Sequence, residues 1–90
     1  MFTLSLALAA CSKKVSQKQC DELIDHYAGI VVRENNPDAS AAVVSAEQER
    51  ERKEARAEDG FKNCTTEVQP DDFACAMKAK TSEGVLRCLE

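Results

Sequence analysis

Ninety residues and 9.9 kDa limit this chain to one small core. Hydrophobic residues make up 43% but aromatics only 4%, and three glycines and two prolines are too few for a turn-rich β-sandwich. Twelve basic against sixteen acidic side chains leave a formal net charge of −4, which argues against a protein that holds nucleic acid on a basic face.

Met1 to Ala10, MFTLSLALAA, carries no charge and has about half of the ~20 apolar residues that a membrane-spanning helix needs. An apolar run ending in small residues has the form of a secretory signal, here without a preceding Lys or Arg. It closes on Leu8-Ala9-Ala10-Cys11, which resembles the lipobox of bacterial lipoproteins: a leucine, two small residues and an obligatory cysteine. The resemblance implies that residues 1–10 are a signal peptide cut just before Cys11. It also implies a diacylglycerol on the Cys11 thiol and a fatty acyl chain, such as palmitate, on the new amino group. Ser12 in place of an aspartate implies passage to the outer membrane. Residues 11–15 would then be a lipidated tether whose lysines lie close to anionic headgroups. At ~0.8 kcal/mol per buried methylene, three acyl chains make such an anchor effectively permanent.

From residue 16 onward the pattern predicts an all-α domain, 16–90, of three to four helices. Ser16 with Gln19 three positions on is a capping box, each side chain meeting an orphan amide of the other residue. Cys20, Leu23, Ile24, Tyr27, Ile30 and Val31 follow at spacings of three and four, an apolar stripe opposed by Asp21, Glu22 and Asp25. Gly29 lies within this helix, where it weakens the helix but admits a close neighbour. Asn35-Asn36-Pro37-Asp38 ends the first helix, and Pro37 suits the first position of the next. The second helix is expected from Asp38 to Asp59. It is apolar at first, through Ala39, Ala41, Ala42, Val43, Val44 and Ala46, and then entirely charged or polar from Glu47 to Glu54. Glu49–Lys53, Glu47–Arg50 and Glu49–Arg52 have the spacing of helical ion pairs, and the charged run is read as a solvated face. Asp59-Gly60 reads as its C-cap, with Phe61 and Cys64 returning to the core.

Pro70, followed by Asp71 and Asp72, opens a third helix with Phe73, Ala76, Met77 and Lys80 on one face and Cys75 and Ala79 beside it. Thr81 or Ser82 can cap a last helix, Glu83 to Leu89, that buries Val85, Leu86 and Leu89. No stretch of useful length alternates with period two, so no strand is expected.

Five cysteines in a short chain point to an oxidising compartment, and the odd number calls for an explanation. With Cys11 assigned to lipid, Cys20, Cys64, Cys75 and Cys88 form an even set, and small helical cores benefit from such staples. Four cysteines allow three connectivities. If the first two helices form an antiparallel hairpin, Cys20 lies beside Cys64, which favours Cys20–Cys64 with Cys75–Cys88 over Cys20–Cys88 with Cys64–Cys75. The spacing Cys64-x10-Cys75-x12-Cys88 departs from the paired Cys-x9-Cys of mitochondrial coiled-coil-helix proteins, and that family is not carried over. Cys20-Asp21-Glu22-Leu23-Ile24-Asp25-His26 and Phe73-Ala74-Cys75, with Ala79, Leu86 and Arg87-Cys88, are instead similar to small bacterial lipoproteins with a cysteine-stapled helical domain. No activity comes with that likeness.

Chemistry-bearing constellations are sparse. His26 is the sole histidine and no Cys-x2-Cys accompanies it, so no metal site is expected, and no redox dithiol either. His26 and Asp25, adjacent in a helix, diverge. There is no nucleophile elbow and no glycine-rich phosphate loop. The reading is therefore a non-enzymatic chain without cofactor. It is bound to the membrane through lipid on Cys11, in the periplasm or at the surface, and acts as a binding or structural module for an envelope protein. Two alternatives remain: an acid-responsive, chaperone-like holdase of the periplasm, whose many carboxylates sense pH, and a thiol oxidoreductase.

Overall fold

In a computed structural model, residues 14–90 are described; Cys11, the expected signal peptide and most of the expected tether lie outside them. The described chain is all-α, without a strand. Helix α1 is Gln17–Asn35, and its start follows the sequence closely. Ser16 Oγ accepts from the Gln19 amide at 3.1 Å, and Gln19 Oε1 accepts from the Ser16 amide at 2.9 Å. One residue earlier the expected tether gives way. Val15 is only 3% exposed and belongs to the same buried cluster as Cys20. These are the positions before the N-cap and in the second turn that form a hydrophobic staple, so Val15 packs with the core of the domain.

The expected stripe of α1 is buried through Cys20, Leu23, Ile24, Tyr27 and Ile30. Its end differs: Val31 is half-buried, whereas Ala28, Gly29 and Val32 are buried. Two helix faces are covered instead of one, because a second helix packs beside the stripe. That helix, α2 (Ala41–Ala57), begins three residues later than expected. Pro37 lies in a turn closed by the Ala39 amide donating to the Asn36 carbonyl, and Ser40, not Pro37, sets the start by accepting from the Val43 amide. The α2 end is also different. Glu58, in extended conformation, terminates it, and Asp59-Gly60 opens a further helical turn rather than capping the preceding helix.

The half of α2 that meets α1 is the charged half, contrary to its reading as a solvated face. Arg56 approaches Asp21 at 4.0 Å, Arg52 Nε donates to Asp25 at 2.5 Å, and Gln48 Nε2 reaches the Asp25 carbonyl at 3.5 Å. Gln48 and Arg52 both reach Asp25, and Arg56, one turn further along α2, reaches Asp21, one turn back along α1, as in an antiparallel hairpin. Ala55, 1% exposed, is the one residue of α2 that is fully buried. The apolar opening of α2 stands largely in solvent: Ala41, Ala42 and Ala46 are exposed and Val43 is 47% exposed. Of the expected ion pairs on α2, Glu47–Arg50 and Glu49–Arg52 form, and Glu49 is engaged by Arg52 rather than Lys53.

Two single turns, α3 (Asp59–Lys62) and α4 (Cys64–Glu67), fold the connection back over the start of α1. They raise the number of helical segments above the expected three to four. Phe61 packs on Tyr27 with ring centroids 5.0 Å apart and tilted by 48°. Burial there, reinforced by the carboxylates of Glu58, Glu51 and Glu34, pushes the Tyr27 hydroxyl above the ordinary tyrosine value. Helices α5 (Pro70–Lys78) and α6 (Ser82–Cys88) complete the domain. Ala76 and Val85 are fully buried, while Phe73, Met77, Leu86 and Leu89 are half-buried around them and Lys80 is exposed. Thr81 caps α6 by accepting from the Gly84 amide at 3.0 Å. The start of α6 is tied to α1, since Glu34 accepts from both the amide and the hydroxyl of Ser82, at 3.0 and 2.6 Å. Those two bonds hold the Glu34 carboxyl below the ordinary carboxylate value.

Candidate functional site

The cysteines form two bridges of different character. Cys20–Cys64, with an S–S distance of 2.06 Å and Cα atoms 6.0 Å apart, joins α1 to α4. Both residues are buried, at 2% and 4% exposure. Cys75–Cys88, with Cα atoms 5.7 Å apart, joins α5 to α6 at the surface, where Cys75 is exposed and Cys88 half-buried. This is the connectivity that the antiparallel hairpin favoured, and it takes up all four described cysteines. A recess of about 200 Å³ borders the inner bridge, rimmed by Gln17, Arg56 and Thr65.

A larger open-sided cleft, about 550 Å³, runs between α1 and the link from α5 to α6. Its α1 wall is His26, Ile30 and Arg33, which share a face because they are four and three residues apart. The facing wall is Met77 and Lys78 at the end of α5, then Ala79 and Lys80 in the extended link. Ile30 (1% exposed) and the half-buried Met77 make an apolar floor, and Arg33, Lys78 and Lys80 are exposed at the edges. His26 Nε2 lies 3.0 Å from the Ala79 carbonyl. A carbonyl can only accept, so Nε2 carries the proton and Nδ1 is left as the acceptor of the neutral ring. The bond fixes the link against α1 and so sets the width of the cleft.

Charge is unevenly matched across the surface. Of the five arginines, Arg50, Arg52, Arg56 and Arg87 stand in ion pairs. Arg33 does not, among the described residues, and neither do Lys78 and Lys80. Glu34, next to Arg33 in sequence, is engaged by Ser82. The cleft therefore collects uncompensated positive charge in a chain whose formal net charge is −4.

Sequence reasoning met His26 as a poor metal ligand and passed over Arg33, Lys78 and Lys80. The signal available for them was slight: the spacing of His26, Ile30 and Arg33 and the alternation Met77-Lys78-Ala79-Lys80 at a helix end. Among the described residues no group of three or more His, Cys, Asp or Glu side chains is placed to hold a metal ion. No helix of the described residues is long and apolar enough to cross a membrane. Against known protein families, curated proteins and solved structures, the chain finds no match.

Proposed function

We propose that this chain is a lipid-anchored module of the bacterial envelope, non-catalytic, in which Cys11 carries the lipid and the helical domain binds an envelope protein or serves structure. The observation that carries this reading is the use of the thiols. Two disulfides engage Cys20, Cys64, Cys75 and Cys88, and the cysteine left over stands in Leu8-Ala9-Ala10-Cys11, a sequence that resembles a lipobox. The burial of Val15 adds to it. Only Ser12, Lys13 and Lys14 separate Cys11 from the buried Val15, a reach of roughly 13 Å, so an anchor there would hold the domain close to the bilayer. Ser12 directs the proposal to the outer membrane, with the domain in the periplasm or at the surface.

The test is the intact mass of the protein from the membrane fraction, before and after reduction. The expected species begins at Cys11, carries three acyl chains and gains four hydrogens on reduction. A mass that retains Met1 to Ala10 without acyl chains overturns the anchored reading. Thiol labelling of the unreduced protein separates it from the oxidoreductase alternative, which requires a reactive free cysteine in part of the population.

One observation favours the acid-responsive holdase as a second reading. The start of α6 is tied to α1 by the Glu34 carboxylate, which accepts from the Ser82 amide and hydroxyl and is held below its ordinary value by those bonds. As pH falls through the folded value those bonds are lost, which would loosen α6 and uncover the buried Val85. Suppression of client-protein aggregation near pH 3, absent at pH 7, is the expected result for a holdase; no suppression at either pH removes it.

A further inference from the structure

We propose that the cleft between α1 and the α5–α6 link docks an acidic peptide segment, whose carboxylates engage Arg33, Lys78 and Lys80 while an apolar side chain covers Ile30 and Met77.

Three observations carry this. The first is charge complementarity. Four of the five arginines, Arg50, Arg52, Arg56 and Arg87, pair with carboxylates, whereas Arg33 at the cleft does not among the described residues, and Lys78 and Lys80 add to its charge there. Three cations converge on one cleft without a carboxylate of their own among the described residues, so the fitting ligand brings negative charge. The second is the floor. Ile30 and Met77 are apolar groups at the base of the charged rim, and methionine adapts its shape to different side chains. A volume of about 550 Å³ falls within the range of ligand-binding clefts. The third is the link itself. Ala79 is extended, and the Lys80 amide has no acceptor among the described residues, which offers a main-chain donor beside the cleft. A ligand with several spaced carboxylates, an apolar side chain and backbone carbonyls satisfies all three features, and an acidic peptide is such a ligand.

The position of the cleft favours a peptide over a lipid surface, and this choice rests on the anchored reading. An α-helix rises 1.5 Å per residue, so Arg33 stands about 24 Å along α1 from Gln17, the end nearest Cys11. The cleft is thus on the part of the domain away from its anchor. Specificity on this account comes from the pairing of rim charge with floor, because single exposed ion pairs contribute little.

The test uses the full chain with Cys11→Ser and both disulfides formed, so that its outcome does not depend on lipidation. The probe is a fluorescein-labelled peptide of alternating glutamate and leucine, followed by anisotropy at about 50 mM salt. Saturable binding is expected, weakened at least tenfold by Arg33→Glu and by Lys78→Glu/Lys80→Glu. It should change less than twofold with Lys18→Glu, which alters charge as Arg33→Glu does, and with Lys18→Glu/Lys53→Glu, which matches the double variant, both at exposed positions outside the cleft. Replacing leucine by serine in the probe should also weaken binding severalfold. Lys18, Arg33, Lys53, Lys78 and Lys80 are all exposed, and the helical circular dichroism of each variant verifies its fold. Absence of saturable binding overturns the proposal, as does an equal loss in the control variants or an equal affinity for the serine probe. Binding to phosphatidylglycerol vesicles that needs Arg33, Lys78 and Lys80, without binding of the peptide, overturns it in favour of a membrane contact. Failure of the anchored reading would appear separately, in the mass of the membrane-fraction protein.

Discussion

Removing the two disulfides one at a time should produce unequal losses of stability. Cys20–Cys64 spans a sequence separation of 44 and Cys75–Cys88 one of 13. Loop-closure entropy in the unfolded chain makes these worth about 4 and about 3 kcal/mol at 25 °C. Burial widens the gap. Cys20 and Cys64 are 2% and 4% exposed, so Cys20→Ala/Cys64→Ala empties space inside the core and should lose roughly 1–2 kcal/mol more. At Cys75, which is exposed, water replaces the lost contacts. Small domains have a total stability of about 5–15 kcal/mol, so the inner double variant should be at or near unfolding while the outer one remains folded. Urea denaturation at 25 °C, followed by circular dichroism at 222 nm, measures both. The reasoning is refuted if Cys75→Ala/Cys88→Ala costs as much as, or more than, Cys20→Ala/Cys64→Ala.

Further outcomes follow from the same contacts. Under mild reductant, thiol labelling should appear first at Cys75 and Cys88, because exchange requires access to a sulfur; earlier labelling of Cys20 would contradict the burial described here. Gly29→Ala should stabilise the domain by about 0.5–1 kcal/mol in the same urea titration. A Cβ there would lie 3.4 Å from the flexible ends of Arg33 and Gln48, an ordinary contact, whereas a loss of stability would show that the helices need the bare glycine. Val15→Ala should lower stability by about 2 kcal/mol, and a neutral result would return Val15 to the tether. The pH dependences of Glu34 and Glu51 should be opposite. Glu34, held low by the hydrogen bonds from Ser82, stabilises the fold above its unfolded value, and that contribution is lost as pH falls through its folded one. Glu51, raised by burial and then by Glu54, costs stability at neutral pH, and the cost disappears on acidification. Thermal melts should therefore show Glu34→Gln less stable and Glu51→Gln more stable than the parent at pH 7, both differences shrinking toward pH 3.

The sequence by itself determined the all-α class, the start of α1 and the core face that α1 presents. These depend on neighbours within one or two turns: Ser16 and Gln19 reach each other through local backbone geometry, and Leu23, Ile24, Tyr27 and Ile30 align because an α-helix repeats every 3.6 residues. The disulfide connectivity was legible too, through the antiparallel hairpin that a short turn at residues 36–39 favours. Only the tertiary structure decided which half of α2 packs. Composition points to the alanine- and valine-rich opening, yet the seam is formed by Gln48, Arg52, Ala55 and Arg56, because the register of the hairpin opposes them to Asp21 and Asp25. The cleft was hidden for the same reason. Arg33 lies more than forty residues before Lys78 and Lys80, and no local pattern encodes a meeting set by the His26–Ala79 bond and the docking of α6 on Glu34.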